Sequence, residues 1–329
     1  MLSISKIAVR YPDCDPMGIV HHAVYPIWYE IARMDYFAAV GYPYVAMNRE
    51  GINPPMVNLN LQYAAPVRYP GEVTVRTACT LCQGKKLELR YAVYQENSAK
   101  PVATATSFHV WTGPDMKSLD MATKPDIYEK LTAAVEQPAV LILAGGRSKR
   151  MGSDKAAVTL DGQSLLERAI RFWQAACPGA PIYVSLGQPE HALSLPEHVT
   201  PVYDLVRDCG PMGGLQAAFH PHSPELYWVS AVDMPLLSPQ AISLLNEKRC
   251  HCEDACVFTR DGRPEPLLGL YRSTCLPVMN QLLESGENRM SALLDQVKTT
   301  RVPLPQERWV RNINTPEELE QLRLEQDHA

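Results

Sequence analysis

Two hydrophobic rhythms divide this chain. Up to about residue 112, long apolar or alternating stretches are bounded by turn residues, which predicts strands near 4–11, 56–65, 71–82, 86–96 and 101–112. One segment breaks that pattern with a helical period. Val24, Ile27, Trp28, Ile31, Met34 and Ala38 recur at helical spacing, Pro26 is tolerable in a first turn and Gly41 is a stop, so a helix is expected over 23–40. One long helix against a long-stranded antiparallel sheet is an α+β arrangement. Residues 124–138 then read as a terminal helix and a linker closed by Pro138.

After Pro138 the rhythm changes. Short apolar runs, AVLILA, PIYVSL and LYWVSAV, alternate with helical segments such as SLLERAIRFWQAA, GGLQAAFH and SPQAISLLNEK. That alternation predicts an α/β, Rossmann-like domain, a mostly parallel sheet with helices on both faces. Ligands of such sheets bind beyond the carboxyl ends of the strands. The glycine-rich stretch after Ala144 and the acid Asp233 both fall there. The expected domains are therefore 1–134 and 139–329.

Size and composition agree with two domains: 329 residues, 46% apolar and 20% charged, give ample core for both. No apolar run is long enough to span a bilayer and the start lacks a signal peptide's hydrophobic region, so no membrane partner and a cytoplasmic location are expected. Nine cysteines, an odd number, argue against a disulfide framework. Cys79 and Cys82 lie three apart in a strand and are expected on opposite faces. The Cys250, His251, Cys252 and Cys256 cluster has no second knuckle at zinc spacing, and a structural role is expected. Charge separates the halves: residues 1–136 are neutral and the remainder carries the net −5. An acidic domain is a poor nucleic-acid binder, and would hold a triphosphate only through local bases and metal ions.

The stretch LILAGGRSKRMGSDK, residues 141–155, supplies such bases. An apolar strand runs into paired glycines, a basic cluster, a third glycine and a lysine, an order that lets backbone N–H groups wrap an anion. It is not the common P-loop, because Gly152 is followed by Ser153, Asp154 and Lys155. It resembles the LAGGxSxRMGxDK signature of the molybdenum cofactor guanylyltransferase family. Three more segments carry the resemblance: PVYDLVRDCGPMGGL (201–215), VSAVDMPLL (229–237) and RNINTPEELEQL (311–322). The resemblance implies GTP as substrate, with Leu143, Ala144, Gly145, Gly146, Arg150, Lys155, Asp204 and Asp233 at the nucleotide. It further implies Mg2+ on Asp233, Lys155 and Asp233 as catalytic residues, and Asn312 and Asn314 at the acceptor, molybdopterin or the molybdenum cofactor. Glu265 departs from the pattern, since relatives often have His or Gln before that Pro-Leu.

The first domain carries YPDCDPMGIVHHAVYPIWYEIARMDYF, residues 11–37. It is similar to the 4-hydroxybenzoyl-CoA thioesterase type of hotdog protein through Asp13, Asp15, Gly18, Val20, His21, His22, Tyr25 and the Glu30–Arg33 helix motif. The motif sets a carboxylate on a loop just before a helix, whose free N–H groups suit a developing oxyanion. By this resemblance Asp15 is the nucleophile or base toward acyl-CoA, the His22 backbone N–H polarises the thioester carbonyl, and Asp13 is a turn or capping residue. A functional side chain is also expected at His22. Rival readings are a hotdog domain that only oligomerises or senses acyl-CoA, and a cytidylyl or sugar-phosphate transferase in the second half. A homodimer or homotetramer through the hotdog domain is expected, with an edge strand near 101–112 pairing with its copy.

Overall fold

A computed structural model describes residues 1–96, 98–145, 155–188, 193–219, 224–327. It divides into two compact units, Met1–Glu136 with Cys250–Glu253, and Gln137–Arg249 with Asp254–Ala329.

The first unit holds β1 (Leu2–Val9), α1 (Val24–Ala39), α2 (Tyr44–Arg49), β2 (Met56–Tyr63), β3 (Gly71–Gln83), β4 (Lys86–Gln95), β5 (Ala103–Val110) and α3 (Pro125–Ala133). Its five strands form one antiparallel sheet in the order β1-β3-β4-β5-β2, with α1 packed against it, the hotdog arrangement. The edges are β1 and β2. Strand β5 is flanked by β4 and β2, so the expectation of an edge near 101–112 is corrected: the long return from α1 through α2 lays β2 outside it.

Helix α1 sits where its spacing predicts, but its buried face is rotated from the expected one. Tyr25, Trp28, Tyr29, Ala32, Tyr36 and Phe37 are buried, whereas Ile27, Ile31 and Met34 are 49%, 40% and 45% exposed. The core prefers the larger ring bodies, since each buries a broad apolar face. Tyr29 packs on Tyr91 of β4 at 4.8 Å between ring centroids, and the Tyr36 hydroxyl donates to the Ala134 carbonyl. Cys79 and Cys82 also depart from expectation. A bulge between Cys79 and Leu81 breaks the strand's alternation, so both thiols enter the same core.

The second unit contains β6 (Ala139–Leu143), a small hairpin of β7 (Thr159–Leu160) and β8 (Gln163–Ser164), α4 (Leu165–Ala176), β9 (Ile182–Gly187), β10 (Val199–Tyr203), α5 (Gly210–Ala218), β11 (Leu226–Ala231) and α6 (Pro239–Lys248). It continues through β12 (Ala255–Arg260), β13 (Arg263–Arg272), α7 (Leu276–Glu284), α8 (Met290–Gln296), β14 (Thr299–Pro303) and α9 (Pro316–Asp327). Seven strands form one sheet, β10-β9-β6-β11-β13-β12-β14, parallel except where β13 runs antiparallel to both neighbours. Successive residues of β6 point to opposite faces and found two separate cores. Val140 and Ile142 join Trp173, Trp228 and Leu245; Ala139, Leu141 and Leu143 join Met212, Leu215 and Met279. Helices therefore cover both faces, and the sheet's carboxyl edge is left to carry the loops.

Candidate functional site

At the carboxyl edge of the second unit, the chain leaving β6 turns across the end of β9. The N–H groups of Ala144 and Gly145 both donate to the Ser185 carbonyl, at 2.8 and 2.7 Å. Glycine is needed at 145 because a Cβ there would lie 2.5 Å from the Gly187 nitrogen, backbone against backbone. Just past β10, Asp204 donates its own N–H to the Gly187 carbonyl at 2.6 Å. At the start of α5, Gly213 passes so close that a Cβ would stand 3.2 Å from Asp204 Oδ2, and a Cβ on Gly214 would overlap the Ser185 hydroxyl. Glycines 145, 187, 213 and 214 thus form one cradle around Asp204 and Ser185.

The Asp204 carboxylate is held in unusual surroundings. Its Oδ1 is buried with no hydrogen-bond partner among the described residues, and burial pushes its pKa up to about 6 against an opposing hydrogen bond with Ser185. Asp233 follows β11 and is 8% exposed. The preceding residue is tied to the first strand by a bond from the Val232 N–H to the Leu143 carbonyl, and the Asp233 carbonyl accepts from the Ile313 N–H at 2.9 Å. That second bond sets Asn312 and Asn314 beside Asp233. The Asn312 Oδ1 is buried without a described partner.

Both asparagines line a cavity of about 490 Å³ together with Arg260, Glu265, Arg308 and Arg311. Glu265 is paired with Arg260 at 2.9 Å, so its carboxylate does not leave net negative charge there. Glu307 also lines it and Arg311 is paired with Glu325, so the cavity suits a polar ligand. Magnesium takes one or two carboxylates and fills its shell with phosphate oxygens and water. The mostly buried Asp233 carboxylate at the end of β11 fits the protein's share of that donor set. Among the described residues no cluster of three or more His, Cys, Asp or Glu could hold a metal unaided.

The expected site residues Leu143, Ala144, Gly145, Asp204, Asp233, Asn312 and Asn314 are thus brought to one edge of the sheet. Gly146 and Arg150 lie outside the described residues, and for Lys155 only the backbone, opening a 3₁₀ turn (Lys155–Ala157), is described. Ser185, Gly187, Arg260 and Arg308 escaped sequence reasoning. The first two carry a signal, a lone hydroxyl and a glycine ending an apolar strand.

In the first unit the loop between β1 and α1 is stapled into a narrow turn. Cys14 pairs with Val20, the Asp15 N–H donates to Ile19 and the Gly18 N–H returns to the Asp15 carbonyl. Gly18 takes a positive φ of 73°, and Arg68 donates to its carbonyl. The Asp15 carboxylate is partly exposed and accepts from the Met17 N–H at 2.8 Å through Oδ1. Asp13 behaves differently: it is 2% exposed and bound at 2.7 Å by Arg10. Burial pushes its carboxyl up, but hydrogen bonds from the Arg10 side chain and backbone outweigh that and hold it below the usual range. Asp13 is the staple, and Asp15 is the group on display.

Beyond the staple, the His21 N–H donates to Asp13 and the Ala23 N–H to His21 Nδ1, while the His22 N–H has no acceptor among the described residues. His22's exposed ring lies 4.0 Å from that of His21. Tyr63, on β2, donates its hydroxyl to the His22 carbonyl, a contact sequence reasoning missed.

Burial pushes the Cys79 and Cys82 thiols up to about 12 and about 11. Cys250 donates to Glu253, Cys252 to the Arg90 carbonyl and Cys256 to the Leu245 carbonyl.

Comparisons with known proteins agree with both geometries. The family model of MobA-like NTP transferase domains matches residues 140–301, and that of the thioesterase-like superfamily matches residues 9–135. The chain is 35% identical over 195 residues to a probable molybdenum cofactor guanylyltransferase of Mycobacterium avium (strain 104), covering 56% of this chain and 95% of that one. A probable molybdenum cofactor guanylyltransferase of Synechococcus elongatus is 33% identical over 196 residues, with 56% and 98% covered. Among solved structures, molybdopterin-guanine dinucleotide biosynthesis protein A from Archaeoglobus fulgidus has the same fold, with a TM-score of 0.51 at 24% identity over 58% of this chain and 100% of that one. A thioesterase-like hotdog domain is here joined to a nucleotidyltransferase domain, and through the latter the chain belongs to the molybdenum cofactor guanylyltransferase family.

Proposed function

We propose that residues 139–329 transfer the GMP moiety of GTP to the terminal phosphate of molybdopterin, and that residues 1–134 hydrolyse an acyl-CoA thioester. The observation that carries the first reading is the bond from the Ile313 N–H to the Asp233 carbonyl, which ties the segment holding Asn312 and Asn314 to the end of β11. In this reading an acceptor phosphate oxygen attacks the α-phosphorus of GTP, the bond to the β-phosphate oxygen breaks and pyrophosphate leaves. No protein nucleophile is needed. Magnesium, held by Asp233, would neutralise charge on the triphosphate. Leu143, Ala144, Gly145 and Gly146 present backbone to the nucleotide, Asp204 contacts it, and Arg150 and Lys155 supply positive charge to the phosphates. Asn312 and Asn314 orient the acceptor.

In the first domain, Asp15 activates water or itself attacks the thioester carbonyl carbon, and the His22 N–H stabilises the oxyanion. The thiolate of coenzyme A is the leaving group. An unclaimed His22 N–H and a partly exposed Asp15 carboxylate on the same loop support this assignment. We also assign the hotdog domain a homo-oligomeric partner, a second copy of this chain. An odd number of cysteines, nine, suits a reducing, cytoplasmic compartment.

The test is one preparation of the full chain assayed twice: GTP with molybdopterin and Mg2+, and a panel of short aliphatic and aromatic acyl-CoAs. Asp15→Asn keeps the size of the side chain and most of its hydrogen bonding. It is expected to lower thioester hydrolysis by ~10²–10⁴-fold and leave guanylyl transfer intact. Preference for CTP over GTP would overturn the nucleotide assignment, and binding of acyl-CoA without turnover would favour a sensing module.

A further inference from the structure

Helix α1 begins without a side-chain cap: its N-cap residue is Ala23, and no side chain accepts from its first turn as a cap. The peptides leading into it therefore depend on ties from elsewhere. Two are present, both on the peptide that joins His22 to Ala23. The His21 imidazole accepts from the Ala23 N–H at 3.2 Å through Nδ1, and the Tyr63 hydroxyl donates to the His22 carbonyl at 3.0 Å.

Tyr63 is well placed to transmit rigidity. Its backbone pairs with Ala103 of β5, and the two residues after it, Ala64 and Ala65, both donate to the Val102 carbonyl. Its ring meets Tyr25 edge-on at 5.0 Å, and Tyr25, which is buried, packs on Trp28 at 4.9 Å. A side chain fixed at its root by the sheet and along its ring by the helix thus ends on the carbonyl of an otherwise exposed loop. An oxyanion donor stabilises a transition state only if it need not reorganise as charge develops.

We propose that Tyr63 is a positioning residue for thioester hydrolysis, holding residue 22 so that its unclaimed N–H points at the developing oxyanion. The inference rests on the thioesterase reading. Tyr63 does not touch the reacting atoms; it acts through the His22 carbonyl, on the peptide next to the one that carries the His22 N–H.

The experiment compares the full-length wild type with Tyr63→Phe, which keeps the ring against Tyr25 and removes only the hydroxyl. Hydrolysis of the best acyl-CoA of the panel should show kcat lower by about five- to tenfold with KM unchanged. Affinity for a trifluoromethyl ketone analogue of the substrate, which presents an oxyanion, should fall by the same factor. Affinity for an S-alkyl-CoA thioether, which has no carbonyl, should stay constant. A raised KM, equal weakening of both analogues or a lowered melting temperature would make Tyr63 merely structural and overturn the proposal. An unchanged kcat would overturn it alone, whereas a wild type that hydrolyses no acyl-CoA would overturn the thioesterase reading and this inference together.

Discussion

The Ile313 N–H donates to the Asp233 carbonyl at 2.9 Å, so the end of strand β11 and the segment leading into α9 are held as one piece. The consequence is chemical: the aspartate expected to face the triphosphate and the asparagines expected to face the acceptor are fixed by a main-chain bond. In-line transfer between two bound phosphates depends on such fixed placement.

Replacing Asp233 by Asn, or Lys155 by Ala, should therefore damage one activity only. Each removes charge complementary to the triphosphate, and a loss on the order of 100-fold or more in guanylyl transfer is expected. Thioester hydrolysis by the same preparation should be unchanged. Parallel loss of both activities would show that the two domains do not work separately.

Asp204 gives the second unit a pH signature. Its carboxyl is raised by burial to about 6, whereas an unfolded aspartate titrates near 4. Between those values the folded state binds the extra proton, so stability falls as pH rises through the window and does not recover above it. The full shift corresponds to about 3 kcal/mol, which solvent screening of this half-buried carboxyl reduces to on the order of 2 kcal/mol. Thermal melts of the nucleotide-free, metal-free protein from pH 4 to 7 should show this slope in the wild type and lose it in Asp204→Asn. Equal slopes would mean that Asp204 titrates normally.

Much of this was legible in the sequence, for physical reasons that differ by residue. The strands β2 to β5 were placed within a few residues because each is a long run of apolar or alternating positions bounded by turn residues. The Gly145 cradle was legible because close backbone approach admits only glycine. The face of α1 was not, because aliphatic spacing alone undercounts tyrosines that bury their rings. Neither the bulge at Cys79 nor the tie from Tyr63 to His22 leaves a local signal. Both depend on which strand lies alongside, and that is set by the whole sheet.

Assembly should follow from what the first unit leaves uncovered. Strand β2 is an edge with Met56 and Val57 exposed at 46% and 62%, and α1 carries the exposed stripe Ile27, Ile31 and Met34. An unprotected apolar edge of this kind is suited to pairing with a second copy. Sedimentation at micromolar concentration should show at least a dimer, and Val57→Lys should shift it toward monomer. A stable wild-type monomer would refute the oligomeric assignment.

The last prediction concerns His109, buried in the first unit between two partners. Its Nδ1 lies 3.0 Å from the Pro54 carbonyl, which can only accept, so Nδ1 carries the proton and Nε2 accepts from the Ser107 hydroxyl at 2.7 Å. Ser107 is approached in turn by the Tyr91 hydroxyl at 3.1 Å. The chain of donors is satisfied only while the imidazole is neutral. Burial pushes its pKa down to about 4, helped by Arg33 and opposed by the bond to Pro54. An unfolded histidine titrates near 6.5, so between the two values the unfolded state binds the proton. The stabilisation is complete above about pH 6.5 and is lost as pH falls toward 4, a change on the order of 3 kcal/mol. Urea unfolding of the full chain, followed through the first unit's Trp28 and Trp111 with the other tryptophans replaced by Phe, should show it between pH 7 and 4.5. His109→Gln should be less stable at pH 7 yet flatter across that range; a variant that keeps the wild-type slope would place the acid sensitivity elsewhere.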